Sequence, residues 1–279
     1  MILALVAAVL ALVHTGAPSR NGLVAFDRCC GTAATGIWTV RANGTGARRI
    51  FRPPADDAPL TPAWSPRGTQ IAYAPGAPLG GLWVMNTNGT FRHRILRGNG
   101  DLLFPTWSTD GTRIAFADLP RRGARFHDIY VVRTSALGVP RLLAAASVDE
   151  SAPAWAPDDS AIAYQRGRDV WIMRTNGTGQ RLLIRNARSP SWSPGATHIA
   201  FIRNGDPWIA NRNGTGARRV AHAPRSQISV AWSPDGRLLA TAPIDRGDIL
   251  LVAANGSKIT PLTNAAGFFN SLPAWQRLR

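Results

Sequence analysis

The sequence predicts an all-β chain, a six-bladed β-propeller of four-stranded antiparallel blades whose ring is closed by pairing the N- and C-terminal strands. Three observations carry this prediction. The phrase "TPAWSPRGTQIAYA" at 61–74 returns with small changes at 104–117, 152–165, 189–202 and 229–242, and breaks off as "SLPAWQRLR" at 271–279. A second phrase alternates with it, as in "WIMRTNGTGQRLL" at 171–183. The tryptophans of the first phrase, Trp64, Trp107, Trp155, Trp192, Trp232 and Trp275, stand 43, 48, 37, 40 and 43 residues apart, the period of a propeller blade.

The elements of one blade read in order. "PAW" is strand A. "SPDG" is a tight turn, in which proline presets φ and glycine supplies a positive φ. "IAF" is strand B, followed by a loop of variable length. Strand C opens at a slot filled by Trp38, Trp83, Tyr130, Trp171, Trp208 and Leu250, so all ten tryptophans fall in the two repeat slots. "NGT" is the C–D turn, since Asn-Gly suits a hairpin that needs positive φ twice. Asn43, Asn88, Asn176, Asn213 and Asn255 share that slot, and their sequon-like surroundings serve turn geometry first. "RRI" is strand D. At the ends, "NGLVAFDR" at 21–28 is a strand B with no strand A before it, and "LPAW" at 272–275 is a strand A with no strand B after it. Joined, they complete blade one and remove the open edges. Residues 21–279 are then one domain.

Residues 1–20 read differently. Met1 to Val13 form an apolar run too short to span a bilayer. With Thr15, Gly16 and Ala17 behind it, the run suits a secretory signal, which predicts a periplasmic or secreted protein with no stable transmembrane span. Cys29 and Cys30 are the chain's two cysteines. Export permits a disulfide, and the sequence leaves open whether they are loop residues or disulfide partners.

The formal charge is +16, and every basic residue but Lys258 is arginine. Such a balance favours anionic partners. Near the variable loops, 13 arginines face 12 acids. The excess falls largely on strand D, as Arg48, Arg49, Arg92, Arg94, Arg141, Arg181, Arg218, Arg219 and Lys258, where charge blocks edge-to-edge pairing. Attraction of this outer wall to an anionic envelope surface is the functional reading of the same residues. Nucleic-acid binding calls for aromatics interleaved with a basic groove, and here the tryptophans belong to the repeat.

Pro62, Trp64, Ser65, Pro66 and Gly68, with Ile71, Ala72 and Tyr73 and the later Trp83, Val84, Met85, Asn86 and Gly89, resemble the WD40-like propeller repeats of the TolB family. The resemblance runs over nearly all of 21–279. It implies a propeller fold and, from TolB itself, a periplasmic protein that binds envelope proteins. TolB carries an α/β domain ahead of its propeller, and this sequence has no room for one. Similar propellers accompany prolyl oligopeptidase-type peptidases, whose hydrolase domain is also missing.

Catalytic motifs are absent from the sequence: no Gly-x-Ser-x-Gly elbow, His-Glu-x-x-His helix or phosphate loop. No cofactor or metal site is expected. His14, His93, His127, His198 and His222 are scattered, and Asp110, Asp158 and Asp235 sit in turns that they stabilise. The expectation is a monomeric scaffold that binds a protein or peptide partner on the face of the variable B–C and D–A loops. Arg121, Arg122, Arg125, His127, Phe268 and Phe269 are the candidate contacts, with the two phenylalanines exposed. The alternative is a carbohydrate-active hydrolase or lyase, or a carbohydrate binder, in the central channel. That reading needs Asp118, Asp128, Asp169, Asp206 and Asp248 to converge. A third reading is an assembly module without a discrete ligand.

Overall fold

The computed structural model describes residues 20–29, 35–53, 60–76, 79–98, 102–119, 125–135, 138–245, 247–264 and 268–278. Blade 1 begins with β1 (Arg20–Cys29), β2 (Gly36–Arg41) and β3 (Arg48–Phe51). Blade 2 is β4 (Ala63–Trp64), β5 (Gln70–Tyr73), β6 (Leu82–Asn86) and β7 (His93–Leu96); blade 3 is β8 (Leu103–Trp107), β9 (Arg113–Asp118), β10 (Asp128–Arg133) and β11 (Arg141–Ala144). Blade 4 is β12 (Glu150–Trp155), β13 (Ile162–Arg166), β14 (Asp169–Met173) and β15 (Arg181–Ile184); blade 5 is β16 (Arg188–Trp192), β17 (His198–Arg203), β18 (Asp206–Asn211) and β19 (Arg218–Arg219). Blade 6 is β20 (Gln227–Trp232), β21 (Leu238–Pro243), β22 (Leu250–Ala253) and β23 (Ile259–Pro261). The last strand, β24 (Phe269–Leu278), pairs antiparallel with β1 and supplies the missing inner strand of blade 1. The closure expected from the two half-phrases is the one observed.

Strand B explains why the blades need one another. Ile162, Ala163 and Tyr164 of β13 are all fully buried, the pattern of a strand covered on both faces. Successive side chains point to opposite faces. Accordingly Ile162 and Tyr164 pack with blade 3, whereas Ala163 packs with blade 5. The same holds around the ring: each of the six apolar clusters straddles a seam between neighbouring blades. No blade owns a core.

The repeated Asn-Gly-Thr serves those seams as well as the turn. In the C–D turn of blade 2, Asn88 Oδ1 accepts from Thr90 N (3.1 Å) and Thr90 Oγ1 (2.7 Å), an Asx-type closure that recurs at Asn43, Asn176 and Asn213. Gly89 has a φ of 85° and lies so close to β3 that an added Cβ would stand 2.0 Å from the Ile50 carbonyl oxygen. Glycine is required there twice over, for its φ and for the approach of one blade's turn to the outer strand of the blade before it.

Strand A shows a finer rule. The indole N–H groups of Trp64, Trp107, Trp192 and Trp275 each donate, at 3.1 Å, to a carbonyl on the preceding blade: Ala274, Ala63, Ala154 and Ala231. In two blades the alanine before the tryptophan is replaced, by Thr106 and Ser191. There the hydroxyl accepts from the backbone N–H of the next blade's tryptophan, Trp155 (3.3 Å) or Trp232 (3.0 Å). The indole N–H of Trp155 and Trp232 has no protein partner among the described residues. Replacing Trp192 by Phe is therefore expected to cost about 1 kcal/mol more than replacing Trp155, the worth of one such bond, as read from denaturant midpoints of the two variants.

Candidate binding face and channel

Antiparallel pairing puts the short A–B and C–D turns on one face of the ring and the B–C and D–A loops on the other. The inner strands of all six blades line a central channel of about 330 Å³. Its wall is made of small residues one step before each tryptophan, such as Ala63, Thr106 and Ser191. At the turn-side mouth stand Pro66, Thr109, Pro157, Pro194, Pro234 and Arg277, and Arg277 is the one charged residue among the described lining.

Toward the loop side the wall is bulged. Thr61, Phe104, Ala152, Ser189 and Leu272 each precede a proline and have φ between 27° and 54°. Blade 6 has Val230 where the others have proline, and Ser229 before it is not in this conformation. Proline disfavours the α region for the residue before it, and a bulge re-aims side chains. Five strained residues at one level of a channel indicate that the surrounding ring fixes their conformation.

The five aspartates required by the enzymatic alternative do not gather at this channel, and none lines it among the described residues. Asp128, Asp169, Asp206 and Asp248 are each used within their own blade. Asp169 accepts from Asn186 N at 2.8 Å and Asp248 from the Thr263 hydroxyl at 2.9 Å. Asp206 accepts from Ala223 N at 2.9 Å and His222 Nδ1 at 3.1 Å. Burial alone would raise its pKa, but these bonds and Arg219 outweigh burial and hold it below the usual carboxylate range. Asp128 binds the backbone at Ala146 and lies in register with Asp118. A carboxylate at the start of strand C clamps the D–A loop of the same blade, so the expected convergence is corrected. No group of three or more His, Cys, Asp or Glu side chains suited to a metal exists among the described residues.

The candidate contact residues divide between two places. Arg121 and Arg122 lie outside the described residues. Arg125 is exposed, beside Phe126 at 38% exposure, and Val148 on the following D–A loop is 41% exposed. This surface is knit together at the seam of blades 3 and 4. Asp149 Oδ1 accepts from His127 N (3.1 Å) and faces His127 Nδ1 (2.8 Å), while Glu150 N donates to His127 O (3.0 Å) and Gly167 N to Asp149 O (2.8 Å). Phe268 and Phe269 lie across the ring, at the seam of blades 6 and 1. They are half-buried rather than exposed: Phe268 lies under the Arg28 guanidinium at 5.0 Å, and Phe269 pairs with Cys29. Cys29 is disulfide-bonded. Phe126, Val148 and Asp149 were not singled out by the sequence, which signals only that a long loop exists at 117–128.

Several loop-side charges are held inside the fold. Arg28 stacks on Trp38 at 4.6 Å and donates to Asn270 Oδ1 at 2.8 Å. Arg203 stacks on Trp208 at 4.9 Å. Asp27 is 1% exposed, in the seam with blade 2, bonded to the backbone at Leu60 and, at 3.4 Å, to Ser271. Burial pushes its pKa up to about 7. The folded chain thus keeps a proton that the unfolded chain releases near pH 4, so stability declines as pH rises from about 4 to 7 and stays lowered above that. Asp27→Asn removes this dependence. At pH 8 the variant is expected to be more stable than the parent, by an amount on the order of 4 kcal/mol at most for a shift of about three units. Melting curves from pH 4 to 8 check it, with the gap between the two proteins closing at the acid end.

No family model matches the chain, and no curated protein matches it in sequence. Solved structures match it in fold. TolB from Acinetobacter baumannii superposes with a TM-score of 0.74 at 16% identity, over 91% of this chain and 66% of that protein. A chain of a nidogen/laminin complex gives 0.71 at 12% identity, over 91% and 98%. An oligogalacturonate lyase in complex with manganese gives 0.58 at 12% identity, over 82% and 71%. At such identities the likeness is one of architecture, and the chain spans about two thirds of the length of that TolB. The chain has the six-bladed propeller fold of the TolB type.

Proposed function

We propose that this protein is an exported, monomeric binding scaffold that docks a protein or peptide partner on its loop face, in the cell envelope or outside the cell. The observation that carries this reading is the seam of blades 3 and 4. There Arg125, Phe126 and Val148 are exposed on loops that hydrogen bonds hold in place. Apolar and arginine contacts on a rigid support are what protein interfaces use. Arg121 and Arg122 remain candidate contacts by sequence alone, and Phe268 and Phe269 stabilise the opposite rim. The matched chain of the nidogen/laminin complex has a similar fold and comes from a protein–protein assembly. Export is supported by the apolar run at Met1 to Val13 and by the disulfide at Cys29. The basic outer wall adds affinity for an anionic envelope surface, and no helix among the described residues is long and apolar enough to cross a membrane.

The likeness to a lyase keeps the carbohydrate-active alternative in view. Affinity capture from solubilised envelope and culture medium separates the two. The expected result is a specific protein that the parent retains and an Arg125→Ala/Phe126→Ala/Val148→Ala variant loses. Retention of a polysaccharide instead, equally by both proteins, would transfer the function to the channel.

A further inference from the structure

On the face of the short turns, a groove of about 820 Å³ runs between blades 4 and 5. Ala161 and Ile172, which face blade 5, form its floor, and Arg174, Arg181 and Arg212 stand around it. Its openness has a local cause. The first arginine of strand D crosses two other seams as a clamp: Arg141 of blade 3 donates to Asn176 O of blade 4 at 3.0 Å, and Arg218 of blade 5 to Ala254 O of blade 6 at 3.0 Å. Arg181 occupies the same position in blade 4 and makes no hydrogen bond or ion pair among the described residues; the Arg174 guanidinium makes none either. Two exposed guanidiniums are thus left beside an apolar floor.

Arg212 shapes the opposite wall. The four other Asn-Gly turns carry Ala42, Thr87, Thr175 and Ala254 at this position. Here the guanidinium reaches back across the seam to Asp158 Oδ2 (2.5 Å), bonds the Ser160 hydroxyl and stacks on Trp192 at 5.6 Å. Asp158 offsets one positive charge, so the three arginines leave a net of two. Asn213 adds donors, because its Oδ1 is engaged by Thr215 and its amide NH₂ is not. The rim offers donors and positive charge, while the floor offers apolar surface.

We propose that this groove is a second binding site, taking an acidic segment of a partner protein whose carboxylates flank an apolar side chain. Arg174 and Arg181 receive the carboxylates, with the bidentate geometry that guanidinium favours. Ala161 and Ile172 receive the apolar side chain. A lone inorganic anion would leave the floor uncovered and fill little of a groove sized for a larger ligand. This site is separate from the loop face, and its test does not depend on that reading.

The test titrates the full chain with a short fluorescein-labelled peptide alternating glutamate and leucine, reading anisotropy. Arg174→Glu/Arg181→Glu is expected to weaken binding about tenfold or more, with no change in melting temperature, since neither side chain bonds within the fold. The control Arg48→Glu/Arg49→Glu makes the same charge change on the outer strand of blade 1 and is expected to stay within about twofold of the parent. The proposal is overturned if the two variants lose affinity equally, which marks general charge attraction. It is also overturned if a glutamine-for-glutamate peptide binds as tightly, if inorganic phosphate displaces the peptide at comparable concentration, or if no saturable binding is seen.

Discussion

A chain ending at residue 268 is expected to lose cooperative folding altogether. The deletion removes β24, and with it the inner strand of blade 1 and one side of two seams. Trp275, 8% exposed, packs with Ala240, Ile249 and Leu251 of blade 6, and its backbone neighbour Ala274 accepts the indole N–H of Trp64 in blade 2. A tryptophan that buries about 150–250 Å² contributes roughly 4–6 kcal/mol gross at about 25 cal/mol per Å². That single side chain is comparable to the lower end of whole-domain stabilities, about 5–15 kcal/mol. Because every core is shared between two blades, the loss does not stay in blade 1: an open ring exposes β1 as an edge and leaves two cores half-covered. The measurement is calorimetry together with dye binding to exposed apolar surface. A circular permutant distinguishes loss of closure from loss of mass. Arg20 and Leu278 are register partners, so a tight turn can join β24 directly to β1. The permutant that carries residues 269–279 ahead of residue 20 is expected to regain a single sharp transition. A truncated chain that melts like the parent would refute ring closure as the source of stability.

The same closure shows how far the residues alone reach. Blade count, strand order and the pairing of the ends follow from two phrases and two half-phrases, because a repeat exposes its own period and its own defects. Side-chain direction does not follow from spacing. Arg28, Arg166 and Arg203 sit next to loops in the sequence, yet each lies over the strand C tryptophan of its blade, since Phe26, Tyr164 and Phe201 pair in register with Trp38, Trp171 and Trp208. The strand C aspartates resemble a set aimed at one substrate, but a repeat gives every blade the same local device, here a clamp on its own loop. Phe268 and Phe269 read as an exposed pair because the loop around them, "NAAGFFNS", is made of small and polar residues, and nothing nearby announces that Arg28 will cover one of them. The groove between blades 4 and 5 depends on which arginines cross a seam, a property of two blades together that neither phrase contains.

Arg166→Ala is expected to be the most damaging single substitution on the loop side, at about 3–5 kcal/mol. Its Nε donates to Glu150 Oε1 at 2.5 Å and its Nη2 to Gln180 Oε1 at 2.6 Å, while the guanidinium lies 4.3 Å from the Trp171 ring. The Glu150 side chain is 0% exposed. Burial raises its pKa, Arg166 opposes that rise, and nearby Asp128 adds to it. Without Arg166 the carboxylate is buried with no counter-charge and takes up a proton at higher pH than before. A carboxyl whose folded pKa is raised contributes stability at low pH that is lost as pH climbs through that pKa. The variant is therefore expected to be nearest the parent in acid and furthest from it at pH 8. Glu150→Gln/Arg166→Met, which removes the charge together with its partner, is expected to recover most of the loss, because the ion pair's own net worth is small beside the cost of breaking it. A flat pH profile for Arg166→Ala would show that its role is packing on Trp171 alone. The consequence extends to binding: Glu150 N holds His127 O, and Gly167 N, next to Arg166, holds Asp149 O. The pair thus lies beneath the loops that present Arg125, Phe126 and Val148, and loosening it should weaken partner capture even under acid conditions where the fold survives.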